Sequence, residues 1–329
     1  MHATPKCILA GDIGGTKTRL AVFRVTGRQL ETLVEHSYPS TEYDSLSAII
    51  EEFSGTHHYR PAAAGFGIAG PVRDHSVRTT NLPWHIHAAD IARHSGIRQV
   101  TLLNDLEATA WGLRALEAAD FHVLSSGTPD PSGNAAIIAA GTGLGEAGLA
   151  RCGDSLQPFA TEGGHVDFSP GSALEIELLR FLAERYGHVS WERVLSGPGL
   201  VNLHEFLCQH RGQPVPDWLR HNMSSGDPAA AISSAAASGR DPLCSEALEL
   251  FAHLYGTEAG NLALKMKASG GIYIGGGIAP RILAQLMTGS FMAAFLAKGR
   301  MRPLLEQIPV RVILNDRTAL YGPALFAGS

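Results

Sequence analysis

The chain has 329 residues, of which 45% are hydrophobic and 17% are charged. That composition excludes an intrinsically disordered chain, and the length favours two domains over one. The net charge of −5 comes without any stretch concentrated in Lys and Arg, which argues against nucleic acid as the main partner.

The uncharged runs of the sequence give no sign of a membrane or export segment. The acidic Asp12 comes too early to leave room for the apolar region of a signal peptide. The longest uncharged run covers residues 282–297, which is shorter than the roughly 20 apolar residues of a membrane span. We therefore expect a cytoplasmic protein with no membrane partner.

The four cysteines, Cys7, Cys152, Cys208 and Cys244, lie far apart in the sequence and form no Cys-x-x-Cys pair. This spacing indicates neither a disulfide framework nor a cysteine-rich zinc site. It suits a reducing compartment.

The first third of the chain alternates short apolar strands with helices, which indicates an α/β fold. Residues 7–25 predict a β-hairpin, because an apolar run is broken by Gly-Gly-Thr and followed by a second, alternating run. The remaining predicted elements here are strands at 32–37, 62–69 and 99–103 and helices at 45–53 and 106–116.

A second glycine hairpin is predicted at residues 135–150, and its likeness to the first suggests a duplicated lobe. Residues 210–227, rich in polar residues, Pro and Gly, are predicted as a surface loop. Further helices are predicted at 173–186, 199–209, 227–237 and 245–268, a strand at 270–279 with a helix from Pro280, and a strand at 310–315 before a short terminal helix.

Three glycine-rich turns are candidate nucleotide contacts. Residues 11–16 place an acidic residue before two glycines, which allow positive φ and a close approach of backbone N–H groups to phosphate. Asp12 there is a candidate for holding magnesium through water, and a plain hairpin turn is the alternative. Residues 141–145 repeat this pattern, and residues 275–277 offer a flat surface for a base or a site of close helix–strand packing.

None of these turns matches the common nucleotide-binding loops. The Lys of the P-loop is absent from residues 11–16. A second strand rather than a helix is predicted after residues 141–145, which argues against a dinucleotide-binding fold.

Polar residues with catalytic chemistry follow at three places. Asp105 ends a buried strand, where ligands of α/β proteins bind and where a carboxylate can accept a hydroxyl proton; an ordinary helix N-cap by Asp105 is the alternative. Glu162 and His165 share one turn and are read as a metal pair, a sugar clamp or a plain surface turn, with metal the weakest because further ligands are missing nearby. Glu192, considered by itself, is interpreted as a solvent-exposed helix residue.

The motifs, taken together and in order, resemble the bacterial glucokinase family of the actin-like ATPase superfamily. The resemblance covers residues 8 to about 325. It rests on the segments GDIGGT, FGIAGPV, TNLPW, LLNDLEATAWG, AAGTGLGEA, TEGGHVDF, ERVLSGPGLVNL, GNLALK and IGGGIAPR.

The resemblance implies a two-lobed α/β fold of the actin-like ATPase (ribonuclease H-like) type, with the active site in the cleft between the lobes. It implies transfer of the γ-phosphate of ATP, with Mg²⁺, to the 6-hydroxyl of glucose by a homodimer. The small lobe would cover residues 1–110 and about 302–329, and the large lobe residues 111–301.

The resemblance also assigns the site residues. Asp105 is implied as the general base and Asn104 as a sugar ligand. Glu162, His165 and Glu192 are implied to hold the other hydroxyls, with Trp191 and His188 beside them. The implied nucleotide contacts are Gly11, Asp12, Ile13, Gly14, Gly15, Thr16, Gly141, Thr142, Gly143, Gly275, Gly276 and Gly277.

One difference from a related family and three alternative functions bear on this interpretation. The related repressor/kinase family carries a Cys-rich zinc motif after its E-x-G-H turn, whereas this chain has no cysteine between Cys152 and Cys208. A sugar-sensing regulator, a kinase for another hexose and a chaperone-like ATPase are the alternatives that remain.

Overall fold

The computed structural model describes residues 6–79 and 82–329, so residues 1–5, and Thr80 and Asn81 of the TNLPW motif, lie outside it. The strands are β1 (Lys6–Ile13), β2 (Lys17–Thr26), β3 (Gln29–Pro39), β4 (Ala63–Ile68), β5 (Val72–Arg73), β6 (Ser76–Arg78), β7 (His85–His87), β8 (Gln99–Asn104), β9 (Phe121–Ser125), β10 (Ala135–Ala140), β11 (Leu144–Cys152), β12 (Ser155–Ala160), β13 (Gly271–Gly275) and β14 (Val310–Ile313). The helices are α1 (Leu46–Thr56), α2 (Ala88–Ser95), α3 (Asp105–Gly112), α4 (Ala173–Tyr186), α5 (Gly197–Arg211), α6 (Asp217–Ser225), α7 (Pro228–Ala237), α8 (Pro242–Lys265), α9 (Leu283–Leu286), α10 (Ser290–Leu296), α11 (Arg302–Leu305) and α12 (Thr318–Gly328).

The chain divides into two compact units. Unit 1 comprises Met1–Asp120, Gln157–Ala160 and Asn315–Ser329, and unit 2 comprises Phe121–Leu156 and Thr161–Leu314. The sequence predicts the boundaries near residues 110 and 302. In both descriptions the C-terminal helix belongs with the N-terminal part of the chain.

Unit 1 is built on a sheet with strand order β3-β2-β1-β4-β8. β1 and β2 form the predicted antiparallel hairpin, while β1, β4 and β8 run parallel. Ile8 and Ala10 face the helix α12 side of the sheet, whereas Leu9 and Ile13 belong to the core with α1 and α2. Because both faces of β1 are buried, this strand is apolar throughout its middle.

Unit 2 repeats this arrangement. β10 and β11 form an antiparallel hairpin, and β10, β13 and β14 run parallel, with β9 antiparallel beside β14. The long helix α8 lies in the main core of this unit with α5, and Phe251, Leu254 and Tyr255 are fully buried. The two similar hairpins in the sequence therefore correspond to two similar sheets.

Two predicted elements are wrong. Residues 217–225 are not loop but helix α6, because the fully buried Leu219 anchors one face of an otherwise polar segment. The helix after the triple glycine does not begin at Pro280. The N–H of Ile278 donates to the carbonyl of Ala140 at 3.2 Å, which keeps the chain in a turn until α9 begins at Leu283.

Within the described residues, no helix combines the length and the apolar character needed to cross a bilayer.

Helix α3 is held against α12 by two glycines. A Cβ on Gly322 would overlap the carbonyl of Ala108, and a Cβ on Gly112 would overlap the carbonyl of Thr318. We expect Gly322→Ala to lower the free energy of unfolding by about 1–3 kcal/mol, because the added methyl must separate the two helices. Urea unfolding measures this change.

The matched control is Gly55→Ala, on the exposed end of α1. Nothing lies within 4 Å of a Cβ at this position, so alanine is expected to stabilise the helix by about 0.5–1 kcal/mol. A Gly322→Ala protein as stable as the Gly55→Ala protein would contradict the close approach of α3 and α12.

Candidate functional site

The predicted polar residues of unit 1 lie at one edge of its sheet. β1, β4 and β8 are in register, with Ile13 opposite Ile68 and Ile68 opposite Asn104. Beyond the strand ends, the N–H of Ala69 donates to the carbonyl of Ile13 at 3.3 Å, and Asn104 Nδ2 donates to the carbonyl of Gly70 at 3.3 Å. The structure therefore brings the turn after β1 and the Asn104–Asp105 pair to the same edge.

Asn104, not Asp105, is the N-cap of α3. Its Oδ1 accepts from the N–H groups of Leu106 at 3.0 Å and Glu107 at 3.3 Å. The prediction of a cap at Asp105 was thus one residue late. Because Asn104 satisfies the helix terminus, Asp105 becomes the first residue of α3, half-buried, with a carboxylate favoured there by the helix dipole.

The turn between β1 and β2 is a tight hairpin. The N–H of Gly14 donates to the carbonyl of Lys17 at 3.0 Å, and Ser40 Oγ donates to the carbonyl of Gly14 at 2.9 Å. The expected positive φ is not found at Gly11 or Gly14. At Gly11 a Cβ would instead meet the ring of Phe66, so packing explains that glycine.

Asp12 is the carboxylate of this hairpin. It pairs across the strands with Arg19 and is half-buried near the end of β1. Burial raises the pKa of Asp12, while the positive charges of Arg19 and Lys17 act in the opposite direction. A carboxylate whose ionised form is penalised by desolvation gains from a nearby cation, so Asp12 fits the role of a magnesium anchor.

The second glycine turn, in unit 2, is fixed by neighbouring backbone. The N–H of Gly141 donates to the carbonyl of Gly143, and the N–H of Gly197 donates to the carbonyl of Gly141, both at 2.8 Å. Glu192 Oε2 accepts from the N–H of Leu144 at 3.0 Å. Apart from its chain neighbours, no atom of the described residues lies within 4 Å of a Cβ placed on Gly141, so there is open space beside this turn.

Glu162 and His165 lie beside this turn. Both are exposed, at the start and end of a 3₁₀ turn, Gly163–His165. Gly164 approaches the carbonyl of Leu144 so closely that a Cβ would overlap it. The N–H of Trp191 donates to the carbonyl of Val166 at 3.0 Å and so ties this turn to the segment of Glu192.

The third glycine turn joins the same group. Gly275 pairs with Ala139 in the β10–β13 register, and Gly276 has φ +81°, which an L side chain rarely adopts. A Cβ on Gly277 would meet nothing within 4 Å. Unit 2 therefore collects residues 141–143, 162–165, 192 and 275–277 around the end of β10.

The neighbours of Glu192 have structural contacts. Trp191 is 1% exposed and packs edge-on against Phe168 at 5.0 Å between ring centroids. His188 Nε2 lies 2.8 Å from Asp167 Oδ1 in an exposed pair. The side chain of Trp191 thus belongs to the core of unit 2.

Sequence reasoning missed two buried groups beneath these turns. The hydroxyl of Tyr255 accepts from the N–H of Ala140 at 3.1 Å and lies 3.2 Å from the carbonyl of Gly275. It therefore fastens the strand before one glycine turn to the strand before the other. A tyrosine in a helix 115 residues away gives no local sequence signal of this contact.

The second group is a pair of buried carboxyls. Glu146 is 2% exposed, interacts with Glu258 and lies directly beneath Gly163, where a Cβ would overlap the carboxyl. Desolvation, reinforced by the negative charge of Glu258, raises the pKa of Glu146 to about 8. Glu258 pairs with Lys265 at 2.8 Å. Burial and the charge of Glu258 thus favour the protonated form of Glu146, which supports the turn that carries Glu162 and His165.

The chain is similar in sequence to known glucokinases. The family model described as Glucokinase matches residues 9–329. A glucokinase from Nostoc punctiforme is 41% identical over 335 residues, covering 97% of this chain and 98% of the relative. A glucokinase from Synechocystis sp. is 41% identical over 345 residues and covers 97% of each chain.

Solved structures give the same result. The crystal structure of a glucokinase from an Antarctic psychrotroph has a TM-score of 0.84 at 32% identity, covering 98% of each chain. The glucokinase from Balamuthia mandrillaris, solved in complex with glucose, has a TM-score of 0.83 at 23% identity, covering 99% of this chain and 94% of that one, and so bears on the fold alone.

The fold is that of sugar kinases of the actin-like ATPase type. The match over nearly the whole chain is specific within that class. The chain belongs to the glucokinase family.

The protonation of Glu146 predicts a pH-dependent effect of Glu146→Gln. The pKa of Glu146 is about 8 in the folded protein, against an ordinary value of 4.5. Between these two pH values the folded chain holds a proton that the unfolded chain releases. The stability of the wild type therefore falls as pH rises through this range. Glutamine does not titrate. The Tm of the variant should therefore exceed that of the wild type by roughly 2–8 °C at pH 8, with the gap closing toward pH 5.

Glu258→Gln is the contrasting control. It leaves Lys265 without its carboxylate partner and is expected to lower Tm across the same pH range. A difference between Glu146→Gln and wild type that stays constant from pH 5 to 8.5 would mean that Glu146 is ionised in the folded protein.

Proposed function

We propose that this chain transfers the γ-phosphoryl group of ATP to the 6-hydroxyl of D-glucose, giving glucose 6-phosphate and ADP. The observation that carries the proposal is Asp105, held as the first residue of α3 at the end of β8 by the cap that Asn104 makes. Membership of the glucokinase family supports the choice of reaction.

Asp105 acts as the general base. Its carboxylate accepts the proton of the 6-hydroxyl as that oxygen bonds to the γ-phosphorus, while the bond from the γ-phosphorus to the oxygen of ADP breaks. The backbone of this turn of helix is fixed, since Thr109 Oγ1 donates to the carbonyl of Asp105 at 2.9 Å. The Oδ1 of Asn104 accepts the hydrogen bonds of the helix cap. We therefore propose that Asn104 contacts the sugar through Nδ2.

Glu162, His165 and Glu192 hold the remaining sugar hydroxyls. Glu162 and His165 are exposed on one turn, and Glu192 is tied to that turn through Trp191. Glu192 uses Oε2 on the N–H of Leu144, which orients the carboxylate for a sugar contact through Oε1. Carboxylates that bind hydroxyls select against sugars that lack one, because an unpaired buried acceptor is costly.

The glycine turns bind ATP. The N–H groups of Gly14 and Gly141 are bonded within their own turns, so the phosphate oxygens would be bound by other N–H groups of the turn after β1, residues 11–16, and of residues 141–143, while residues 275–277 lie beside the nucleoside. The open space over the backbone of Gly141 and Gly277 supports this assignment.

Asp12 would hold Mg²⁺ through water. The half-buried carboxylate, with a pKa raised by burial, suits an oxygen-preferring cation. When bound, Mg²⁺ neutralises charge on the phosphates of ATP.

We also propose that the enzyme works in the cytoplasm at the entry of glucose into glycolysis, and as a homodimer. The four free cysteines support a reducing compartment. The homodimer rests on the family resemblance, and light scattering of the purified protein measures it.

The test of the proposed function is ADP release with MgATP, alone and with glucose, fructose, mannose, galactose or N-acetylmannosamine. We expect strong release with glucose and little with the others. Preference for another sugar would keep the kinase mechanism and replace the substrate. Release that no sugar increases would contradict the proposal and favour a sugar-binding regulator.

Asp105→Asn tests the base. The amide keeps the shape of the side chain and cannot accept the hydroxyl proton, so kcat should fall by about 10²–10⁴-fold with little change in Tm. Steady-state kinetics at saturating glucose and ATP measure the effect.

Asp90→Asn serves as the matched control, because Asp90 is also an acidic residue in the first turn of a helix of unit 1, paired with Arg93. It should leave kcat unchanged. Near-normal turnover of Asp105→Asn would remove Asp105 as the base.

A further inference from the structure

Three potential metal ligands, His204, Asp241 and Cys244, meet in the interior of unit 2, and Cys208 lies beside the His204 ring. His204 and Cys208 are four residues apart on α5 and so share one face. Asp241 is the N-cap of α8, and Cys244 lies in the first turn of that helix. The separation of these residues in sequence hides the cluster, which the fold assembles.

The ligand atoms are close together. Those of His204, Asp241 and Cys244 all lie within 4.8 Å of one another, and Cys208 Sγ is 3.7 Å from His204 Nε2. All four residues are buried: His204 and Cys244 are 0% exposed, Asp241 is 7% and Cys208 is 8%.

We propose that His204, Cys208, Asp241 and Cys244 bind a structural Zn²⁺ ion. Imidazole nitrogen, thiolate sulfur and carboxylate oxygen are the donors that zinc takes, and four protein ligands without an open position are typical of structural sites. A tetrahedral set places neighbouring donor atoms about 3.3–3.8 Å apart, a separation that His204 and Cys208 already have.

The buried imidazole of His204 is poorly explained as ordinary core. A buried imidazole is costly unless it is paired with a suitable partner. Cys208 Sγ, at 3.7 and 4.0 Å from the two ring nitrogens, is a weak partner. A dication would satisfy the imidazole, the carboxylate and both sulfurs at once.

Binding of a metal here would require the release of protons from the two thiols. Burial lowers the pKa of His204, which keeps the imidazole in the neutral form that binds metals. Burial also raises the pKa of Cys208, and that of Cys244 to about 12, so both are thiols without a cation. Binding of Zn²⁺ would form two zinc–thiolate bonds and release the two thiol protons to solvent.

The position of the cluster gives the metal a structural role. Asp241 Oδ1 already accepts from the N–H of Cys244 at 2.9 Å, which orders the start of α8. A zinc ion here would cross-link that end of α8 to α5. The same α8 carries Tyr255 and Glu258, which support the glycine turns of unit 2.

Metal content of tag-free protein tests the proposal. We expect about one zinc per chain by mass spectrometry of protein purified without chelator. After unfolding with chelator and refolding with Co²⁺, the wild type should show thiolate-to-cobalt charge-transfer absorption that saturates at one equivalent. Removal of the metal should lower Tm.

Substitutions locate the metal. His204→Gln and Cys244→Ser should each reduce zinc content and cobalt absorption at least tenfold. Cys152→Ser removes an exposed cysteine, and His87→Gln removes one member of an exposed histidine pair, with His87 Nε2 3.3 Å from His85 Nδ1. Both controls should keep the full signal.

The zinc content and cobalt absorption of the wild-type protein test the proposal even if a variant fails to fold. Substoichiometric zinc together with no cobalt charge-transfer absorption would overturn the proposal. So would a disulfide between Cys208 and Cys244 in the native protein, detected by mass spectrometry of non-reduced peptides. Cobalt absorption that persists in His204→Gln and Cys244→Ser but disappears in His87→Gln would also overturn it.

Discussion

The parallel pairing of strands within each unit sets where several of the predicted site segments leave the sheet. In unit 1, β1, β4 and β8 end in register, so the turn after Ile13 and the start of α3 at Asp105 lie at one edge. In unit 2, β10 and β13 pair with Ala139 opposite Gly275, so two glycine turns leave the sheet side by side. Since the carboxyl ends of parallel strands share an edge, segments distant in sequence meet there, as Ile13 and Asn104 do in unit 1 and Ala139 and Gly275 do in unit 2.

More of the glycines are explained by neighbouring atoms that leave no room for a Cβ than by a positive φ. Gly164 lies against the carbonyl of Leu144, and Gly11 lies against the ring of Phe66. Only Gly276, among the glycines of the three turns for which φ is described, requires a positive φ. The glycine-rich motifs therefore specify packing of turns against strands as much as they specify an open surface for phosphate.

Local sequence patterns predicted the two hairpins, the main buried strands and the longer helices but not the contacts between them. The hairpins, the buried strands and α4 could be predicted because apolar runs and helical spacing are local signals. Helix α6 was missed because its polar composition conceals one buried residue, Leu219. The cap of α3 was displaced to Asp105 because Asn104 and Asp105 are both good cap residues. Glu146 with Glu258, and His204 with Cys244, could not be paired, since nothing in the sequence brings them together.

Several buried polar groups of unit 2 lie along helix α8, and each contacts a different element of the unit. Asp241 and Cys244 lie at its start, Tyr255 in its second half and Glu258 one turn further on. Each reaches a different partner: α5, the strands β10 and β13, and Glu146 beneath Gly163. A helix fixed along its length by such directional contacts resists sliding, because any shift breaks several buried hydrogen bonds together. The turn that carries Glu162 and His165 is therefore supported by buried groups that lie outside it.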